Sequence, residues 1–255
     1  MHPAELVALA QSRWPHIDIH CPPVDEAIAR LSADLAERLR QAANARGEAL
    51  LCVSGGKSPV ALFTALRAED VPWSRVTVSL VDERCVPPEH PDSNARLVRE
   101  HLLQGAAAGA RFVPLIDSPP HRSPNLEEVA WRAHEAVLAL PVPDVTVLGM
   151  GTDGHTASWF AGSPDLAQAL DLTTPLCVCA ARLPEPPPQP PHPRLTLTLA
   201  HVLRSRHIVL PVQGAEKLAV LALAAQGLAA PTLASLPVSH VLDQRLAPVG
   251  LWLPF

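Results

Sequence analysis

Apolar residues recur at helical spacing at Val24, Ile28, Leu31, Leu35, Leu39 and Ala42. Asp25 lies near the start of that pattern and Gly47 just past its end, so it predicts an amphipathic helix. The next apolar run, Ala49–Val53, is short and unbroken, which predicts a buried strand. Ser54-Gly55-Gly56-Lys57-Ser58-Pro59 then reads as a turn. Ser58 is expected to be the N-cap, and Pro59 the first-turn proline, of a helix reaching Leu66. Further strands are expected over residues 76–81, 112–115 and 145–148, and further helices over 94–103 and 125–140. Another helix is expected to begin near His155 or Thr156. Beyond it, 195–199 and 207–212 read as strands, and Ala215–Ala225 as a helix.

Strands alternating with helices predict an α/β fold whose mainly parallel sheet is covered on both faces. Residues 183–193 are too rich in proline for a helix or a central strand, so a surface loop is expected there. With no internal repeat and no long linker, the whole chain, 1–255, is expected to be one domain.

Composition narrows the function classes. A chain of 255 residues, 48% hydrophobic and 18% charged, is ordinary for a globular protein. At that size about three quarters of the unfolded surface is buried, so no staples are needed. The net charge is −5, and no face-long block of Lys or Arg occurs. This argues against nucleic acid as a partner, because phosphate-backbone binding needs a basic patch. A small anion needs only a local cluster of cations. The five cysteines form an odd set without a CxxC pair, and are read as reduced thiols of a cytoplasmic protein. Cys52, Cys177 and Cys179 fall in strand-like runs and are expected in the core. No basic start with an apolar core and no apolar run of about 18 residues is found, so neither a secretory leader nor a membrane span is expected.

Three clusters carry candidate chemistry. The first is Ser54-Gly55-Gly56-Lys57-Ser58. Its spacing is not that of a P-loop, because Leu51 stands where the first glycine is required. A glycine turn feeding a helix N-terminus still favours an anion. It equally serves as a tight strand-to-helix connection with no ligand. The second is Asp82-Glu83-Arg84, followed by Ser93-Asn94. Arg84 offers a planar fork that matches phosphate or carboxylate oxygens. The bland reading is a solvated loop with an Asp–Arg pair. The third is Gly149-Met150-Gly151-Thr152-Asp153-Gly154-His155-Thr156-Ala157-Ser158 after the strand over 145–148. An acid and an imidazole two residues apart at a strand end suit a general base oriented by a carboxylate. The other histidines are taken as surface or satisfied core residues. No Cys/His set has zinc spacing, so no metal is expected.

Together with Arg194-Leu195-Thr196-Leu197-Thr198, these clusters resemble the 6-phosphogluconolactonase branch of the family shared with glucosamine-6-phosphate deaminase. The resemblance runs from about residue 20 to 245. It implies a Rossmann-like three-layer α/β/α fold with a mainly parallel sheet, related to ribose-5-phosphate isomerase. It implies no cofactor, and a small sugar phosphate lactone as the partner of a monomer or weak homodimer. The implied reaction is hydrolysis of 6-phospho-D-glucono-1,5-lactone in the oxidative pentose phosphate pathway. His155 would be the base and Asp153 its orienting acid. Ser54, Gly55, Gly56, Lys57, Ser58, Asp82, Arg84, Gly151, Arg194 and Lys217 would line the substrate and phosphate site. The chain departs from the family at Lys57, in lacking a lysine in the proline loop, and in the ending Gly250-Leu251-Trp252-Leu253-Pro254-Phe255. Two rivals are a deaminase, whose motif continues differently after the histidine, and a non-catalytic sugar-phosphate sensor, which needs an output domain.

Overall fold

The computed structural model describes residues 2–117, 125–227 and 236–255. The strands are β1 (Asp18–His20), β2 (Ala49–Val53), β3 (Val76–Leu80), β4 (Asp82–Arg84), β5 (Arg111–Val113), β6 (Val145–Val147), β7 (Val178–Ala181), β8 (Arg194–Leu197), β9 (Ile208–Pro211) and β10 (Val249–Trp252). The α-helices are α1 (Pro3–Arg13), α2 (Ala27–Arg46), α3 (Val60–Leu66), α4 (Asn94–His101), α5 (Leu126–Leu138), α6 (Leu166–Leu170), α7 (Leu199–Val202), α8 (Ala215–Ala225) and α9 (Ser239–Leu242).

Seven strands form a wholly parallel sheet in the order β1-β10-β9-β6-β2-β3-β5. Every residue of β2, β3 and β6 is buried, so helices cover both faces, the expected three-layer α/β/α arrangement. The chain winds from β2 through β3 to β5 on one side, then returns to β6, β9 and β10 on the other. The winding therefore reverses between β2 and β6, and a crevice opens past the carboxyl ends of strands at such a point. The turn after β2 and the glycine motif after β6 border that crevice. They are tied together by Ser54 N donating to Val147 O at 3.0 Å and Gly149 N donating to Ser54 Oγ at 3.2 Å.

A second sheet, β4-β8-β7, is antiparallel. Asp82-Glu83-Arg84 is thus a strand and not a solvated loop, and it pairs Arg84 opposite Arg194. Glu83 is buried there and serves α4: its carboxylate accepts from Ser93 Oγ and from the N–H groups of Asn94 and Ala95 at 3.1, 2.8 and 2.7 Å. Burial pushes the Glu83 carboxyl above its ordinary value despite those bonds.

Several local expectations need correction. Ser58 does not cap α3: Pro59 occupies the N-cap position and makes no side-chain cap bond. No helix starts near His155, where the backbone runs through turns and an isolated bridge between Thr156 and Trp159, and α6 begins only at Leu166. The carbonyl of His155 accepts from Gly151 N at 2.9 Å, which closes a local loop and not a helical turn. The strand expected over 195–199 begins at Arg194 and lies in the small sheet. Cys52, Cys177 and Cys179 are buried as expected, whereas Cys21 is exposed and Cys85 only partly covered. His201 does not fit the expectation of satisfied core histidines: it is buried with neither ring nitrogen hydrogen-bonded, and burial lowers it to about 4.

Candidate active site

The crevice holds a cavity of about 640 Å³. Every site residue expected from the sequence lines it except Asp153, which stands behind the His155 ring. His155 Nδ1 and Asp153 Oδ1 are 2.5 Å apart, and the same oxygen accepts from His155 N at 3.2 Å. Partial burial pushes the Asp153 carboxyl upward, but the hydrogen bonds and charge of His155 outweigh it and leave it below its ordinary value. An ionised carboxylate only accepts, so Nδ1 carries a proton, and in the neutral imidazole the lone pair resides on Nε2. The Phe160 ring, 4.6 Å from that of His155, limits how far the imidazole can swing.

The backbone of the motif is shaped to hold this pair. A Cβ on Gly151 would collide with both the His155 ring and the Asp153 carboxylate. Ala157 has φ 50°, a left-handed conformation that costs an L-residue about 1 kcal/mol. Ser158 Oγ donates to Asp82 Oδ2 at 2.7 Å, which fixes the motif to the small sheet.

Cations gather in the same cleft. Arg194 is buried; its Nη2 donates to Pro190 O at 2.8 Å, while Nε and Nη1 have no partner. Burial, then the nearby charge of Arg84, lowers its guanidinium to about 10. Arg84 is less free, since its Nη1 donates to Asp92 O at 2.7 Å. Lys217 Nζ donates to Ser58 Oγ at 3.2 Å, which brings α8 to the turn after β2. Its ammonium is lowered by burial.

Asn94 is a cleft residue that the sequence reading placed in a cluster but not in the site. Its Nδ2 donates to Asp82 O at 2.8 Å, and its buried Oδ1 has no partner. A Cβ on Gly55 would strike that carboxamide, so Gly55 is required by packing. Gly56 is different: it has φ +92° with nothing within 4 Å of an added Cβ, so only backbone conformation demands glycine. Phe160, Pro188 and Gln189 also line the cavity. The proline-rich segment is therefore more than a surface loop, because it supplies part of the wall.

The family model described as glucosamine-6-phosphate isomerases/6-phosphogluconolactonase matches residues 22–249. The chain belongs to this family. Members named 6-phosphogluconolactonase include one from Pseudomonas putida, 47% identical over 218 residues and 86% of each chain. Another, from Pseudomonas aeruginosa, is 49% identical over 193 residues, 75% of this chain and 77% of that one. The crystal structure of a 6-phosphogluconolactonase from Shewanella baltica superposes with a TM-score of 0.83 at 38% identity, covering 94% of this chain and 98% of that chain. A monomeric glucosamine-6-phosphate deaminase also superposes, with a TM-score of 0.73, 17% identity and coverage of 93% and 97%, and that likeness shows the fold alone. Among the described residues of this family member, no helix is long and apolar enough to cross a membrane.

Proposed function

We propose that this enzyme hydrolyses 6-phospho-D-glucono-1,5-lactone to 6-phosphogluconate, with the whole chain acting as one catalytic domain and no cofactor. Relatives named for that activity, alike over most of both chains, support the overall reaction. The observation that carries the mechanism is the Asp153–His155 pair, which leaves Nε2 of a wall residue as the basic nitrogen.

The substrate's phosphate sits among Arg84, Arg194, Lys217 and the turn Ser54–Ser58, within the same cavity as His155. The unpaired Nε and Nη1 of Arg194 are donors already removed from water, and a phosphate supplies the acceptors they lack. Asp82 holds Ser158, and through it the motif, against the small sheet. Anchoring the phosphate brings the lactone carbonyl to His155, so that reaction follows from position. Nε2 takes a proton from water as the water oxygen attacks the carbonyl carbon. The tetrahedral intermediate collapses by breaking the bond to the ring oxygen, which receives the proton from His155. Asp153 keeps the tautomer and stabilises the imidazolium between the two steps. A base in this role contributes about 10²–10⁴-fold.

His155→Ala should lower kcat for the phosphorylated lactone at least about tenfold with the fold unchanged by circular dichroism. A near-normal kcat removes His155 from the role of base.

A further inference from the structure

His90, Asp92 and His192 come together outside the catalytic pair, from two segments that are far apart in sequence. His90 and Asp92 lie between β4 and α4. His192 closes the proline-rich segment just before β8. One donor atom from each lies within 4.8 Å of the others. Asp92 Oδ2 is 2.9 Å from His192 Nε2 and 3.8 Å from His90 Nδ1. The two imidazoles meet edge to face, with centroids 5.3 Å apart. Asp92 N donates to His90 Nδ1 at 3.1 Å, so that nitrogen is unprotonated, and an ion bound there takes the lone pair that the amide now engages. All three side chains are partly exposed, which gives an ion an entry path.

We propose that His90, Asp92 and His192 form a binding site for a borderline-soft divalent transition metal such as Zn²⁺, clipping the proline-rich segment to the loop after β4. Two imidazoles and one carboxylate suit Zn²⁺, Ni²⁺ or Cu²⁺; Mg²⁺ and Ca²⁺ favour all-oxygen sets. The ion replaces the His192–Asp92 hydrogen bond and the proton it uses. Three protein ligands leave one position for water. The clip lies next to the substrate cleft without belonging to it. Asp92 O holds Arg84, Pro190 O holds Arg194, and Pro188 and Gln189 line the cavity. Occupancy ties both segments at their outer edge, while the lactone chemistry at His155 proceeds without the ion.

The test is titration of the chelator-stripped protein with Zn²⁺ against a chromophoric indicator, paired with thermal melts and with assays before and after EDTA. Expected are one ion per chain, a Tm higher by about 5 °C at a hundredfold excess over Kd, and a kcat that stripping leaves within about twofold. His90→Ala and His192→Ala should each weaken binding at least tenfold, and His192→Gln should repeat the result in a side chain of similar size. Mg²⁺ should be silent. The site is refuted if wild-type protein shows no 1:1 binding at tens of micromolar Zn²⁺, if both histidine variants bind as wild type does, or if binding is lost in His155→Ala instead. Loss of activity on stripping that Zn²⁺ restores would also overturn it, because the ion would then belong to the reaction.

Discussion

Replacing Gly151 with alanine is the sharpest test of the proposed machinery, because it adds a single methyl to a residue that performs no chemistry. The added Cβ falls on the His155 ring and the Asp153 carboxylate, so one of them must move. Gly151 is not among the positive-φ glycines, so no left-handed backbone opposes alanine there. The ring has little freedom, since Phe160 lies 4.6 Å away. The cheapest adjustment is to break the Asp153–His155 hydrogen bond. A bond to a charged group contributes about 1.5–3 kcal/mol, which converts to about 10–150-fold in rate if it is lost from the transition state. A misplacement of about 1 Å at a reacting group independently gives about 10²-fold. We therefore expect kcat to fall by about 10²-fold and KM to change by less than about threefold, because the cations stay in place. Initial rates should be followed by proton release, with spontaneous hydrolysis subtracted. A kcat within about twofold of wild type, with the melting curve unchanged, would refute the claim that the pair must be bonded to act.

Arg84→Ala should weaken capture of the phosphorylated lactone and matter far less for unphosphorylated gluconolactone; equal losses on both would place Arg84 at the carbonyl or in the fold. Lys57→Ser should raise KM by no more than about tenfold, and Gly56→Val should cost more, because a β-branched residue resists φ +92°. A larger loss from the lysine change would mean that its ammonium, not the turn, holds the phosphate. Acid should destabilise the fold through His201. Burial, followed by the charges of Arg204 and His134, sets it at about 4 in the native state against 6.5 in the unfolded chain. The unfolded chain therefore binds a proton first, and stability present above about pH 6.5 is lost as pH falls towards 4. The upper limit is about 3 kcal/mol, so urea midpoints should drop between pH 7 and 4.5, and His201→Leu should flatten that dependence.

The central sheet was legible where one signal governs a whole element. Ala49–Val53 is apolar throughout because both faces of β2 are buried, and the periodic stripe of α2 ends at Gly47, which adopts φ 82° as a C-cap. Ala215–Ala225 likewise matches α8 to the residue. The small sheet was not legible as a sheet. Its strands are three or four residues long, and their pairing sets Asp82–Arg84 against residues more than a hundred positions later. The helix expected at His155 fails because Gly154, at φ 80°, turns the backbone so that Gly151 N reaches the carbonyl of His155 and closes a local loop. Asp153 and His155 were visible because they are neighbours in sequence. Asn94 entered the site through a collision with Gly55 that no local pattern encodes. His192 reaches Asp92 across a separation of 100 residues, so no spacing rule could pair them.

The register of β4 against β8 has a cost that the chain carries at all times. Arg84 and Arg194 stand opposite each other across an antiparallel pair, where like charges repel, and Arg194 is buried with two donors idle. Desolvating and crowding positive charge in this way makes the free enzyme less stable than an apolar or oppositely charged pair at the same positions would. Under the proposed binding mode, the arriving phosphate adds to the nearby carboxylates of Asp82 and Glu83 as a counterion, and neutralising the pair relieves repulsion already present in the resting protein. Affinity for a dianion is thus stored during folding as instability. Substitutions that relieve the pair should be among the easiest routes to a more robust protein, and among the surest to cost it its substrate.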